Sequence, residues 1–581
     1  MNKRESGFAL RDRLHAHLKL LYPEADLGVL SQQLLEAIGV DGNSAVRPSR
    51  RNNWDESDIV AITYGDTVIS RGDTPLSTLT RFFKERLTGV VSSVHVLPFN
   101  PYSSDDGFSV IDYNQVDPKL GEWADIVSLA GQFKLMADLV INHASAESDW
   151  FKNFRAGVEP GKDYFVTADP RDDLSRVVRP RSSPLLREID TTDGTRHVWC
   201  TFSFDQVDLN FKNPRVLIEV VRIMALYLSK GVKLFRLDAV AFLWKEPGTT
   251  CLHLPQTHEV IKLLRTLMEQ RAPEAMLITE TNVPNRENLT YFGNANEAHA
   301  IYNFSLPPLL VHALLTGTNA HLKTWMMSMP PAQLGTAYLN FIASHDGIGL
   351  RPTEGLLSED EIGSFIETME RFGGRISTRR TPDGTDQPYE INISLFDALK
   401  GTVEGGPDQL QEERFICAHA IMLALEGIPA IYIHSLLATE NDYDKLERTG
   451  HNRAINRHQW DYEELNRLLD RPASHHRRIF AELCRLLRVR RRQPAFHPNA
   501  TQYTLHLGPN LFAFWRQSMN RDQSIFAINN ITAEPQEVSL EAINLIGTDE
   551  WMDLIRGGRI EDRGGKFTLG PYQCAWLTNL F

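Results

Sequence analysis

Eight short apolar runs alternate with longer amphipathic stretches along the chain, at 58–64, 94–99, 135–143, 232–240, 275–280, 300–305, 337–346 and 428–435. Runs of this length that are apolar throughout read as parallel strands buried on both faces. The stretches between them carry helical periodicity. In 258–270, for example, Val260, Leu263, Leu264 and Leu267 share one face. Eight strands alternating with helices predict an α/β chain closed into a TIM (β/α)8 barrel. An open, doubly wound sheet is the alternative, but no glycine-rich phosphate loop follows the first run.

Other segments lie outside this alternation. Leu14, Leu18, Leu21, Leu27, Leu30, Leu34 and Leu35 predict a pair of helices packed on something larger, within an N-terminal extension over 1–54. The polar stretch 47–53 reads as a linker. The connections 143–232 and 346–428 are too long for simple crossovers, and the first holds its own turn and strand signals (Asp169-Pro170, Asp193-Gly194, His197-Val198-Trp199). They predict two inserted lid subdomains, 144–207 and 347–405, that leave from the strand ends where barrel active sites lie. The barrel is then built from 55–143, 208–346 and 406–493. From 494 to 581 short runs such as 503–507, 511–515 and 524–528, separated by turns like Gly508-Pro509-Asn510, predict a C-terminal antiparallel β-domain.

A net charge of -13 argues against nucleic acid as a partner. The basic run Arg488-Val489-Arg490-Arg491-Arg492 reads as the solvated end of a helix. No apolar run reaches membrane-spanning length, and the first residues are too polar for a signal peptide. The five cysteines (Cys200, Cys251, Cys417, Cys484, Cys574) form no CxxC pair and suit a reduced, cytoplasmic protein.

The apolar runs end in polar residues. The third ends in Asn142-His143, the fourth holds Arg236 and Asp238, the fifth ends in Thr279-Glu280 and the seventh in Ser344-His345-Asp346. Each has an ordinary structural reading: an ion pair, a satisfied core histidine, a turn former. Together they set three carboxylates and two histidines on one rim of one barrel. Paired carboxylates suit glycosyl transfer, one attacking the anomeric carbon and the other, protonated, protonating the leaving oxygen. An arginine beside the nucleophile keeps it ionised, and an apolar wall raises the acid. Metal binding is the competing reading, but the set lacks a close ligand pair.

Ile141-Asn142-His143, Phe235-Arg236-Leu237-Asp238-Ala239, Ile278-Thr279-Glu280 and Ala343-Ser344-His345-Asp346 resemble, in order, the four sequence regions of the α-amylase superfamily. Pro98-Phe99, Asp105-Asp106-Gly107-Phe108, Arg179-Pro180-Arg181, Ser344 to Gly349 and Gly450 to Arg457 resemble its sucrose phosphorylase group. The resemblance implies Asp238 as nucleophile, Glu280 as acid/base and Asp346 as transition-state stabiliser. It also implies Asp105 and Arg453 on the far sugar hydroxyls, with His143, Arg236 and His345 lining the same subsite. Phe108 would be an aromatic platform beside it, and Gln206 would reach it from the first insert.

The acceptor side departs from sucrose phosphorylases. The Leu-Tyr-Gln element usual after the seventh strand is replaced by a loop over 383–392 containing Pro388-Tyr389-Glu390-Ile391-Asn392. Phe242 stands where tyrosine is usual and Asn282 where histidine is usual. That loop, the segments 244–249 and 280–284, and the helical extension are similar to the glucosylglycerate phosphorylases. This similarity implies a small α-glucoside and inorganic phosphate as substrates, with Tyr389 and Glu390 on the acceptor side. Arg181, Arg379 and Arg380 lie in the lids, where guanidinium forks suit phosphate and carboxylate. The chemistry calls for no metal or organic cofactor, and relatives include monomers and homodimers. The alternatives are a sucrose or sucrose 6'-phosphate phosphorylase, then a hydrolase or transglucosidase of the same fold, and a non-catalytic amylase-fold subunit, which would be expected to have lost the carboxylates or gained a membrane anchor.

Overall fold

The structure is a computed structural model that describes residues 10–42, 51–381, 385–543, 551–560 and 565–579. All eight expected barrel strands form: β1 Val60–Thr63, β2 Ser93–Val96, β3 Lys134–Val140, β4 Val232–Asp238, β5 Met276–Thr279, β6 Ala300–Tyr302, β7 Ala337–Asn340 and β8 Ile428–Tyr432. They close into one barrel in sequence order, and the seam is made by β1 pairing with β8. Every pair is parallel. Outer helices and inner side chains cover both faces, which is why these strands read as unbroken apolar runs.

Several strands stop short of the polar residues expected at their ends. β7 ends at Asn340, so Asp346 lies on the loop beyond it. β3 ends at Val140, and His143–Ser145 instead forms a separate antiparallel pair with Gln206–Asp208. That pair places Gln206 opposite Ser145 and brings the end of the first insert back to the barrel mouth. The insert also holds the hairpin Leu186–Thr191 with Gly194–Trp199, turned at Thr192-Asp193.

Two helices, α1 (Leu10–Leu21) and α2 (Leu27–Ile38), precede the barrel. Asp26 caps the start of α2 and Gly39, in a left-handed conformation, ends it. The pair packs on the two helices that flank β4, Pro214–Ser229 and Pro255–Arg271. Buried contacts seat it: His17 Nδ1 lies 2.6 Å from Glu259, and the Tyr22 hydroxyl donates to the Phe211 carbonyl at 2.8 Å. The stretch 43–50, which takes in most of the expected linker, lies outside the described residues.

The second insert holds the helix Glu359–Arg371, with a Ser358/Glu361 capping box, and a three-stranded antiparallel sheet. Its strands are Ile348–Gly349, Asp386–Asn392 and Arg375–Arg380, with Asp386–Asn392 in the middle. The segment around Pro388-Tyr389-Glu390 is therefore a strand and not a loop; 382–384 lie outside the described residues. Its polar, proline-bearing start hides a strand that is buried only from Tyr389 onward.

The C-terminal region forms a five-stranded antiparallel sheet from Thr501–Leu505, Leu511–Gln517, Ser524–Asn530, Cys574–Thr578 and Met552–Asp553. The basic run before it is not wholly solvated. Arg490 is fully buried and donates to the carbonyls of Glu56, Leu423, Gly427 and Phe496. These oxygens lie at the closed end of the barrel, where only a five-donor guanidinium meets so many acceptors at once. No helix among the described residues is long and apolar enough to cross a membrane.

Candidate active site

A cleft opens where the C-terminal ends of the strands meet the two inserts. Its floor is a chain of alternating charges. Arg236, on β4, donates through Nη1 to Asp138 on β3 and, at 2.8 Å, to Asp238 Oδ1. His95, on β2, lies 2.7 Å from the other oxygen of Asp138. Glu280, one residue past β5, accepts the Ala239 N–H at 3.0 Å and is 3.9 Å from Arg236. Ala239 adopts a left-handed φ of 49°, which turns that N–H toward Glu280.

Burial raises Asp238 to about 7, with Asp138 and Asp346 adding to the rise and Arg236 opposing it. Burial likewise raises Glu280 to about 7. Arg236 alone therefore does not hold Asp238 in the ordinary carboxylate range, because it is shared with Asp138. The two carboxyls together retain a proton near neutrality. The 2.8 Å bond to Asp238 against 3.9 Å to Glu280 favours the charge on Asp238 and the proton on Glu280.

Asp346 is treated differently. Burial would raise it, but the guanidinium groups of Arg453 at 2.5 Å, Arg457 at 3.9 Å and, farther off, Arg236 outweigh that and hold it well below the usual range. Burial keeps His345 neutral, and its ring stacks on Phe108 with centroids 5.0 Å apart. Arg457 supports this wall by donating to the His345 carbonyl at 2.9 Å and pairing with Asp106 at 2.5 Å.

Asp105, Asp106 and Gly107 all have positive φ, of 53°, 46° and 109°. Two successive non-glycine residues in this region are strained. A Cβ on Gly107 would meet the Pro98 carbonyl at 2.8 Å, so the turn needs glycine there. Gln206 steadies the turn by donating to Asp105 at 3.1 Å, and the neutral His143 ring donates to the Phe108 carbonyl at 2.9 Å. Behind them the buried Lys245 ammonium bridges Asn142 and Asp208, each at 2.7 Å. Among the described residues no cluster of three or more His, Cys, Asp or Glu is placed to hold a metal ion.

The outer half of the cleft has a different character. Arg179 and Arg181 enter from the first insert, Arg351 and Arg379 from the second. Arg181 lies over the rings of Phe202 and Tyr389, 5.9 and 6.0 Å from their centroids. Arg379 reaches Glu354 at 3.3 Å, and Arg351 stands 3.8 Å from Glu287. Phe242, Asn282 and Val283 complete the wall. The side chain of Arg380 lies outside the described residues.

The cleft thus brings together Asp105, Phe108, His143, Arg181, Gln206, Arg236, Asp238, Glu280, His345, Asp346, Tyr389 and Arg453. Glu390 is the exception. It does not line the cleft, because its carboxylate is taken up behind the wall by Arg453, at 3.0 and 2.7 Å. Asp138 and Arg351 also belong to the site without standing out in the sequence, and Arg457, inside the motif Gly450 to Arg457, takes a supporting place that the motif does not reveal. A lone aspartate inside the apolar run 135–143 was the available signal for the first, since a buried carboxylate requires a cationic partner.

The family model for the α-amylase catalytic domain matches residues 89–347. The glucosylglycerate phosphorylase of Allomeiothermus silvanus is 44% identical over 569 residues, covering 98% of each chain. That of Escherichia coli is 43% identical, covering 91% of this chain and 93% of its own. Among solved structures, the sucrose 6F-phosphate phosphorylase of Thermoanaerobacter thermosaccharolyticum superposes with a TM-score of 0.70 at 25% identity, covering 82% of this chain and 94% of that one. The chain belongs to the α-amylase family, within the group that includes these phosphorylases.

Proposed function

We propose that the protein is a glucosylglycerate phosphorylase. It transfers the glucosyl group of 2-O-α-D-glucosylglycerate to inorganic phosphate, giving α-D-glucose 1-phosphate and D-glycerate, reversibly. The observation that carries the reading is a two-part cleft: a carboxylate-bearing floor fitted for glycosyl transfer, roofed by arginines from both inserts. Glucosylglycerate phosphorylases 41–44% identical to this chain over nearly its whole length support the choice of substrate.

Asp238 attacks the anomeric carbon as the bond to the glycerate oxygen breaks, and Glu280 gives its proton to that oxygen. The product is a β-linked glucosyl ester on Asp238. A phosphate oxygen then attacks the same carbon from the opposite face, the ester bond breaks, and the configuration is retained. Phosphate already carries an ionised oxygen and needs little help from a base, and the proton that hydrogen phosphate gives up as glucose 1-phosphate forms restores Glu280. Asp346, held as an anion, faces the positive charge that develops on the sugar ring. Asp105 and Arg453 bind the far hydroxyls, while His143, Gln206, Phe108 and His345 shape the glucosyl subsite. Arg181, Arg351 and Arg379 hold the carboxylate of glycerate or the phosphate that replaces it, and the lids keep water away. The buried cysteines, none of them in a disulfide, suit a reducing compartment, and we assign the protein to the cytoplasm.

Incubation with glucosylglycerate, with and without phosphate, tests the reading. Glucose 1-phosphate is expected only when phosphate is present. Release of free glucose at the same rate without phosphate would show a hydrolase, and higher efficiency on sucrose or sucrose 6'-phosphate would overturn the glycerate assignment.

A further inference from the structure

Glu390 belongs to the lid strand Asp386–Asn392, yet both its oxygens face inward. Its side chain is 2% exposed, and it grips Arg453 in a fork, Oε1 accepting from Nε at 3.0 Å and Oε2 from Nη2 at 2.7 Å. The remaining Nη1 of Arg453 pairs with Asp346 at 2.5 Å. One guanidinium is thus clamped between a lid carboxylate and a floor carboxylate. The main chain makes the same connection. A Cβ on Gly347, the residue after Asp346, would lie 2.4 Å from the Ile391 carbonyl and 2.6 Å from Glu390 Cγ. Gly349 pairs with Glu390 across the sheet, and Ser377, on Glu390's other side, accepts from Asn452, the neighbour of Arg453, at 3.1 Å.

We infer that Glu390 is a positioning residue of the glucosyl subsite, acting through Arg453 on Asp346, and not a reader of the acceptor. Arg453 paired with Asp346 alone would cancel the negative charge that faces the developing positive charge of the sugar. With Glu390 on its opposite edge, the three groups keep a net charge of minus one, and the guanidinium is fixed in the plane that orients Asp346. A buried, hydrogen-bonded ion triad of this kind is weak evidence for stability and stronger evidence for placement. The inference rests on the glucosyl-transfer reading only in giving Asp346 its role.

α-D-Glucosyl fluoride tests it, because its one-atom leaving group touches no acceptor contact. In the Glu390→Gln variant, the rate of first-turnover fluoride release, measured without phosphate, is expected to fall roughly tenfold or more. The KM for phosphate should stay within about twofold, as expected when uniform acceptor binding is untouched. Glu390→Asp, which keeps the charge but shortens the reach, is expected to lie between variant and parent. Melting curves of both variants separate these effects from misfolding. Parent-like fluoride release with a raised KM for phosphate or glycerate would overturn the inference in favour of acceptor recognition. Parent-like values throughout would overturn it outright. Failure of the phosphorylase reading would appear separately, as the parent making no glucose 1-phosphate.

Discussion

Glu280 and Asp238 carry the pH dependence of the site. Burial raises Glu280 to about 7, so between its unfolded value near 4.5 and 7 the folded chain binds more protons than the unfolded one. Stability therefore falls as pH rises through that window, and the loss is complete above it. Glu280→Gln removes a buried charge that only alkaline conditions develop. The variant is expected to exceed its parent by about 1–3 kcal/mol at pH 8, with the gain fading toward pH 5. Melting temperatures at the two pH values measure this, and an equal gain at both would refute it. The variant should at the same time lose activity on glucosylglycerate while retaining more on the fluoride, whose leaving group needs less acid help. Much of this site was legible, because burying a charged residue inside an apolar run demands a reason. What escaped was the pairing. The sequence carries no sign that Asp138 shares Arg236 or that Glu390 turns to Arg453, since the partners stand 98 and 63 residues apart.

Among the elements, barrel strands and lid strands differ in how openly they are written. The eight barrel strands are sealed on both faces, so each is an apolar run whatever its neighbours do. The lid strands Arg375–Arg380 and Asp386–Asn392 begin in charge, proline and solvent, and their pairing is set by the fold around them. Arg351 was hidden for a related reason. It opens a three-residue 3-10 turn, Arg351–Thr353, that carries no periodic signal. The tight join between floor and lid makes Gly347 an element-level test. Gly347→Ala places a methyl group against the Ile391 carbonyl and must push the central lid strand away from Asp346. We expect destabilisation of about 1–3 kcal/mol by melting, together with at least a tenfold loss of fluoride release. A variant with parent-like activity would show the strand free to shift without consequence.

The molecule as a whole carries a net charge of -13, yet its cleft is roofed by arginines from two separate inserts. A local field of opposite sign attracts small anions past an acidic surface, and salt screens it. The kcat/KM for phosphate is expected to fall several-fold between about 10 and 300 mM salt, while that for the neutral fluoride stays level. Arg351→Ala should raise the KM for phosphate by roughly tenfold and flatten the salt response, leaving fluoride release unchanged. A salt response equal for both substrates would place the anion elsewhere. At the opposite end of the barrel, Arg490 gathers carbonyls from the approach to β1, from both sides of the approach to β8, and from the start of the C-terminal region. One side chain thus closes the seam where the first and last strands meet. The β-domain beyond it is consequently not a cassette: a graft from a relative would have to bring the last turn of the helix His475–Arg490 and the 3-10 turn Pro494–Phe496 along with its own strands, or leave the barrel unstitched where its ends join.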